Sequence, residues 1–394
     1  MNLLQISPYV VQPPTDGGSH RAHGLVKEIP RFGGRVVRYC QGVSSEQYRE
    51  LDLQRNVHVA EGYDEYRHIH PAHDIAKLTM LLGYPNVFSD RALKFASEPL
   101  TTLAADADVV LVREPWQVNA VSDLVDLPIV YSSHNVEAER FEEFREGGYL
   151  KKRAYDRVIR LEQTALDAAD LVICTSDRDA ERYQNQFGYD GPVHIAPNAT
   201  YRARLREHDP DSPAAHQVRE SYGIDATTTV ATFVGSDHPP NVKAVKAILT
   251  MAEQQEGDIH FLVIGSVCNA IQSAQDRVTF AGFVDDLEPY FDATDIALNP
   301  MSSGSGTNIK VLDYFARSLP VISTPFGVRG FDIEDGREAI VTPIENFSDA
   351  ITALAHNPHR CDRLGTTAHK LVAETYTWET VSEKVYKALI QHYG

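Results

Sequence analysis

Short apolar runs alternate with stretches of helical apolar spacing from one end of the chain to the other. The runs Leu3 to Ile6, Val36 to Tyr39, Val109 to Val112, Ile129 to Tyr131 and Leu171 to Cys174 fall in the first half. Val230 to Val234, Phe261 to Ile264, Val278 to Phe280 and Val321 to Ile322 fall in the second. A strand that is apolar on both faces must be covered on both faces, and intervening helices supply the cover, so the pattern predicts parallel sheets in an α/β protein. Between Asn198 and Thr229 the chain becomes polar and irregular, with Arg202, Arg204, Arg206, His208, Asp209, Pro210 and Asp211, which places a domain boundary there. The last helix, Thr377 to Ile390, carries Trp378, Val381, Val385 and Leu389 at i, i+3, i+7 and i+11, so one face is expected to be buried.

Length turns one core into two, because 394 residues exceed what a single core usually supports. The formal charge of −18 is spread along the chain without a long acidic run, which argues against free nucleic acid as a partner. Of the 37 basic residues only 11 are Lys, a bias that suits a salty cytosol where screening weakens self-repulsion. Cys40, Cys174, Cys268 and Cys361 stand far apart without a Cys-x-x-Cys, which argues against zinc and against a disulfide framework and fits a reducing compartment. No apolar stretch reaches 18 residues and the first residues carry no charged leader, so a cytoplasmic protein without a membrane span is expected.

One segment carries candidate chemistry. Ile296, Ala297 and Leu298 end an apolar run, Gly304-Ser305-Gly306 makes a turn, and Asn308 to Ala316 has helical spacing. Lys310 then falls in the first helical turn, where the helix dipole disfavours a cation by a few tenths to about 1 kcal/mol. A diphosphate resting on the Ser305 to Asn308 amides, with Lys310 reaching it, would remove that conflict. The competing reading is a Lys310 that snorkels to solvent and pairs with Asp313 at i+3.

That segment, Gly304-Ser-Gly-Thr-Asn-Ile-Lys310-Val-Leu-Asp313, resembles the Gly-Ser-Gly-Thr-x-x-Lys-x-Leu-Glu of family 4 glycosyltransferases of the GT-B type. The opening strand with Gly17-Gly18-Ser-His-Arg21, and the segment Tyr131-Ser-Ser-His134-Asn135-Val-Glu-Ala-Glu139, are similar to that family's first loop and its central His-Asn segment. Further likenesses lie at Ala169 to Ser176, Ile195 to Asn198, Phe233 to Gly235 and Phe280 to Asp286, so the resemblance covers most of the chain. It implies two doubly wound, Rossmann-like domains whose parallel sheets face each other across a cleft. Residues 1–198 would bind the acceptor, 199–375 the nucleotide sugar, and 376–394 would form a helix crossing back to the first domain.

The activity so implied is a retaining transfer of a hexose-type sugar from a nucleotide diphosphate sugar to a glycan or lipid-linked saccharide, with no metal and no cofactor beyond the donor itself. His134 and Lys310 are the catalytic candidates, and Gly17, Gly18, Gly304, Ser305, Gly306, Thr307, Asn308 and Asp313 the donor-binding ones. Lys310 and the turn amides would stabilise the departing diphosphate, where charge develops in the transition state. Imidazole at position 134, neutral or charged near pH 7, would hydrogen-bond a sugar hydroxyl or orient the acceptor. Gly17 and Gly18, between the first strand and the first helix, would let backbone approach the substrate, or simply form a tight turn.

Three positions depart from the family pattern. Asp313 stands where a ribose-gripping Glu is usual, Ser305 where some members carry a second Glu, and the loop Gly235 to Lys246 lacks an arginine, leaving Asn241 and Lys243 as substitutes. Lys151, Lys152, Arg153, Arg157 and Arg160 lie on one helix, and Arg153, Arg157 and Arg160 share a face. This stripe suits peripheral contact with anionic lipid headgroups at the inner membrane face, or a solvated face paired with Asp156 and Glu162. Rival readings are a sugar-nucleotide 2-epimerase of the same fold and a non-catalytic nucleotide-sugar-binding subunit. A nicotinamide-dependent oxidoreductase fits poorly, since Ile309 occupies the third glycine position of its fingerprint.

Overall fold

The computed structural model describes residues 1–42, 55–271, 275–304 and 306–394. The chain divides into two compact units, Met1–Asn198 together with Trp378–Gly394, and Ala199–Thr377.

The first unit is built on an eight-stranded sheet in the order β3-β4-β2-β1-β5-β6-β7-β8. Its strands are β1 (Asn2–Ser7), β2 (Arg35–Gly42), β3 (Asn56–Ala60), β4 (Tyr63–Ile69), β5 (Val109–Val112), β6 (Ile129–Ser132), β7 (Leu171–Cys174) and β8 (Val193–Ile195). Every neighbouring pair is parallel except β3 with β4. Strands β5, β6 and β7 are buried along their whole length, as short apolar runs between helices require. The strand order turns back at β1, which has β2 on one side and β5 on the other, and such a reversal opens a crevice at the carboxyl ends of the two strands. Ser7 ends β1 and Arg113 follows β5, so both stand at that crevice.

The second unit has a six-stranded parallel sheet in the order β11-β10-β9-β12-β13-β14. Its strands are β9 (Thr229–Val234), β10 (Ile259–Ile264), β11 (Val278–Gly282), β12 (Ile296–Asn299), β13 (Val321–Ser323) and β14 (Ile340–Val341). The order reverses between β9 and β12. The Gly235 loop leaves the first of these and the Gly304 turn leaves the second.

Strands β3, β4, β8 and β14 have no apolar run to announce them. In β4 (Tyr63-Asp-Glu-Tyr-Arg-His-Ile69) burial alternates, and the buried set includes Glu65 and Arg67. Buried charge is tolerated because it is matched: Glu65 takes Arg38 Nη1 at 3.0 Å and Arg67 Nε at 2.9 Å.

The C-terminal helix, Trp378–Tyr393, buries Trp378, Val381, Val385 and Leu389 and belongs to the first unit. It packs on the helix Gly17–Gly24, where Trp378 lies so close to Gly24 that a Cβ there would sit 2.1 Å from Trp378 Cδ2. Lys27 meets Glu379 at 2.6 Å, and the Glu28 amide donates to Ser382 Oγ at 3.1 Å. Burying a large apolar side chain contributes roughly 1.5–3 kcal/mol, so this one face outweighs the exposed ion pairs along the same helix.

Candidate active site

In the second unit the carboxyl ends of β12 and β13 are tied by Asn299 Nδ2, which donates to Ser323 Oγ at 2.9 Å. The chain then turns at Gly304 (φ +123°) and Gly306 (φ +64°), backbone conformations that glycine alone adopts without strain. The Gly304 carbonyl accepts from Arg329 Nη2 at 3.1 Å. Asn308 Nδ2 donates to the Gly327 carbonyl at 3.1 Å, which ties the turn to the loop after β13. Ser305 lies outside the described residues. The helix that follows is shorter than the apolar spacing predicts, Lys310–Phe315, because Asn308 and Ile309 are still part of the turn.

Lys310 opens this helix and points toward β9. Its Nζ donates to Asn241 Oδ1 at 2.8 Å and sits 4.1 Å from the centre of the Phe233 ring. Asn241 is held in turn by Nδ2 donating to the Ser236 carbonyl at 2.9 Å. Burial pushes the Lys310 ammonium down to about 7, and no carboxylate contributes to the shift. The pairing with Asp313 does not form. Asp313 Oδ1 instead accepts from Thr200 Oγ1 and Arg204 Nη1, each at 3.2 Å, with Arg317 Nη1 at 4.0 Å. An ammonium held by an amide oxygen and an aromatic face, with no carboxylate at ion-pair distance among the described residues, has the chemistry to receive an anion. Lys243 is exposed on the helix Pro239–Gln254.

In the first unit Gly17 and Gly18 are not a loop before a helix. They are its first two residues, capped by Asp16, whose carboxylate accepts from the Ser19 amide. Gly18 is hemmed in, since a Cβ would lie 2.5 Å from Tyr9 Oη. Arg113, fully buried, donates from Nη1 to Ser7 Oγ at 3.0 Å, and from Nη2 to Tyr9 Oη at 3.0 Å and the Gly18 carbonyl at 2.8 Å. The same Nη2 lies 2.7 Å from His134 Nε2. His134 follows β6 and is half-buried. Burial, with Arg113, Arg21 and Arg140 nearby, holds its pKa well below the usual imidazole value, so the ring is neutral at pH 7 and the charged form expected as an option is not populated.

Arg21 is a second buried guanidinium. It donates to the carbonyls of Ala196 at 2.8 Å and Ser133 at 3.3 Å, and burial lowers its pKa to about 10. Neither Arg21 nor Arg113 has a carboxylate within ion-pair distance among the described residues. In a chain of charge −18, these two buried cations stand at the crevice of the first unit, where Glu114 and Asp16 also act on Tyr9. The sequence contains a signal for Arg113, a charge placed directly after the apolar run Val109 to Val112, where a buried strand delivers its next residue to the crevice. Asn241, in the first turn of the helix Pro239–Gln254, was legible only as a substitute in the Gly235 to Lys246 segment, and Arg329, from the turn after β13, carries no comparable signal.

The basic stripe is broken. Arg157 turns inward to Asp90 at 3.0 Å and to the Val87 carbonyl at 3.2 Å, Arg153 donates to Tyr149 Oη at 2.9 Å, and Arg160 is exposed. Glu162, offered above as a partner for the stripe, is buried and accepts from the Glu137 and Ala138 amides at 2.8 Å each. Among the described residues no group of three His, Cys, Asp or Glu is arranged to hold a metal, and no helix is long and apolar enough to cross a membrane.

Comparison with known proteins bears on both units. Residues 15–204 match the model described as Glycosyltransferase Family 4, and residues 228–357 the model described as Glycosyl transferases group 1. The chain is 25% identical over 297 residues to a D-inositol 3-phosphate glycosyltransferase from Rhodococcus opacus, an alignment spanning 69% of this chain and 62% of that protein. A second D-inositol 3-phosphate glycosyltransferase, from Catenulispora acidiphila, is 26% identical over 52% of this chain and 53% of its own length. The chain thus spans less than two thirds of these curated relatives. Among solved structures, the sucrose-phosphate synthase of Thermosynechococcus elongatus superposes with a TM-score of 0.73 at 14% identity, covering 99% of each chain. The Anabaena protein HepE, solved in complex with UDP-glucose, gives 0.67 at 13% identity over 99% of each chain. At these identities the likeness is one of fold, and the fold is the two-domain GT-B architecture of Rossmann-like sheets. Because the two family models together account for most of both units, the chain belongs to glycosyltransferase family 4, the group 1 glycosyl transferases.

Proposed function

We propose that the protein moves a hexose-type sugar, with retention of anomeric configuration, from a nucleoside diphosphate sugar to a glycan or lipid-linked saccharide. The observation that carries this reading is Lys310, whose ammonium has an amide oxygen and a ring for neighbours and no carboxylate among the described residues, next to a turn with glycines at φ +123° and +64°. A diphosphate supplies the missing charge, and more so as the glycosidic bond breaks and charge builds on the leaving oxygen. Backbone amides of Gly306, Thr307 and Asn308, with Arg329 beside them, complete the grip in the second unit. Asp313 offers Oδ2 to the ribose, since Oδ1 is engaged by Thr200 and Arg204. In the first unit His134 offers its Nδ1–H to a hydroxyl oxygen of the sugar substrate. No step calls for a metal. Arg157 pairs with Asp90 at 3.0 Å, so the stripe offers no continuous basic face to a membrane.

Thermal unfolding in the presence of UDP, ADP and GDP tests the donor site. A nucleoside diphosphate at 100 times its Kd adds about 2.7 kcal/mol of stability. One of the three should raise Tm for the wild type and not for Lys310→Ala. If all three leave Tm unchanged at millimolar concentration, the donor reading is wrong. The engaged Asp313 favours a second reading, nucleotide-sugar binding without turnover, and a shifted Tm with no consumption of any nucleotide sugar would select it.

A further inference from the structure

The crevice of the first unit brings a buried guanidinium against a half-buried imidazole. Guanidinium carries only N–H donors, and the two hydrogens of Arg113 Nη2 are shared among Tyr9 Oη, the Gly18 carbonyl and His134 Nε2; an Nε2–H at 2.7 Å would set donor against donor, so the imidazole presents an acceptor there. The lone pair must then be on Nε2 and the ring proton on Nδ1. Arg113 is itself immobilised by Ser7 Oγ, Tyr9 Oη and the Gly18 carbonyl, and its guanidinium carbon lies 4.9 Å from the centre of the Tyr9 ring, so it cannot swing aside to let Nε2 take a proton.

We propose that Arg113 is a positioning residue that fixes His134 as a neutral, Nδ1-protonated imidazole, making it a hydrogen-bond donor to substrate and not a proton-transfer group. The functional meaning rests on the role proposed above for His134, whereas the tautomer does not.

The charged groups around the ring all act in this direction. Arg113 arrives from the end of β5, Arg21 from the helix Gly17–Gly24 and Arg140 from the helix Glu137–Arg140, and each opposes a second proton on the ring. The acidic groups of the neighbourhood are directed elsewhere: Glu137 pairs with Arg140 at 3.4 Å, and Glu114 and Asp16 act on Tyr9 and Arg140. Nδ1 of His134 has no hydrogen-bond partner among the described residues, so its proton is available to a ligand oxygen. A fixed donor suits a hydroxyl oxygen that must be oriented, and it excludes the ring from delivering a proton to a leaving group.

The test is spectroscopic and uses the full chain with 15N-labelled histidine, the His134 signals being assigned by their loss in His134→Gln. In the wild type the 15N shifts should report Nδ1–H and stay constant from pH 8 to pH 5. In Arg113→Met the midpoint should rise above that of the wild type while burial, Arg21 and Arg140 still hold it below the ordinary value of about 6.5, and Nε2–H should appear. Ser7→Ala removes a different partner of Arg113 and should leave the His134 signals as in the wild type. An Nε2–H tautomer in the wild type, or a wild-type midpoint near 6.5, overturns the proposal whether or not Arg113→Met folds. Full activity of His134→Gln would remove the functional role of the histidine while the spectrum still decides its tautomer.

Discussion

Lys310→Met tests the electrostatics of the donor site. A fall in pKa from 10.5 to about 7 means that burial opposes the charged form by on the order of 5 kcal/mol. Two consequences follow, with defined signs. Between pH 7 and 10.5 the unfolded chain holds more protons on this lysine than the folded one, so the wild type should gain stability as pH rises through that window. Below pH 7 both states are protonated and the full penalty is present. Binding works in the opposite direction. A diphosphate beside Nζ favours the ammonium, so above pH 7 each bound UDP should take up close to one proton. Wild-type affinity for UDP should fall about fivefold from pH 7 to 8, and about tenfold more by pH 9. Titration calorimetry in two buffers of different ionisation enthalpy at pH 8 reads the proton directly. Lys310→Met should bind UDP weakly at every pH and take up none. A wild-type affinity that stays flat from pH 7 to 9, or a Lys310→Met variant that binds as tightly as the wild type, refutes the reasoning.

Four further outcomes are expected. Asp313→Asn keeps the shape but weakens the contacts to Arg204 and Thr200, so the loss should appear in donor affinity, a few-fold in KM, with kcat little changed in steady-state kinetics. Gly304→Ala forces a φ of +123° on a residue with a Cβ and should cost about 1–3 kcal/mol in urea unfolding while also weakening UDP binding. Gly24→Ala would place a methyl group against Trp378 and should destabilise the first unit by roughly 1–3 kcal/mol; a loss below about 0.5 kcal/mol would contradict the packing of the C-terminal helix. Turnover should survive EDTA, and a loss restored by magnesium or manganese would show that a metal takes part.

Much of this fold is legible in the apolar runs, because a strand buried on both faces can hardly be written any other way. Strand β4 was hidden because its inward positions are Tyr63, Glu65 and Arg67, a pattern that reads as surface unless Arg38 is known to lie across from it. The turn at Gly304 could be read from its glycines and from a lysine placed where a helix dislikes one. Its partners could not, because Asn241 is 69 residues away in sequence and reaches Lys310 only once β9 and β12 are neighbours. Arg113 has the same character: its place after β5 was visible, but its hold on Tyr9, Gly18 and His134 depends on the loop after β1, the helix Gly17–Gly24 and the loop after β6 meeting at one crevice. In the stripe of Arg153, Arg157 and Arg160 the inward turn of Arg157 is illegible for a related reason, since helical spacing gives the face and says nothing of Asp90 lying opposite.

The central claim is sugar transfer with retention, and proton NMR of a single reaction series tests it most directly. The protein is incubated with α-linked nucleotide sugars, each with a panel of saccharide acceptors, and both the nucleotide and the anomeric signals are followed. The account predicts acceptor-dependent release of nucleoside diphosphate, a new α-linked product, and a rate lowered by roughly a hundredfold in Lys310→Ala, as expected for loss of about 3 kcal/mol of transition-state stabilisation. A β-linked product, an epimerised free nucleotide sugar without acceptor, or unchanged turnover in Lys310→Ala would contradict it.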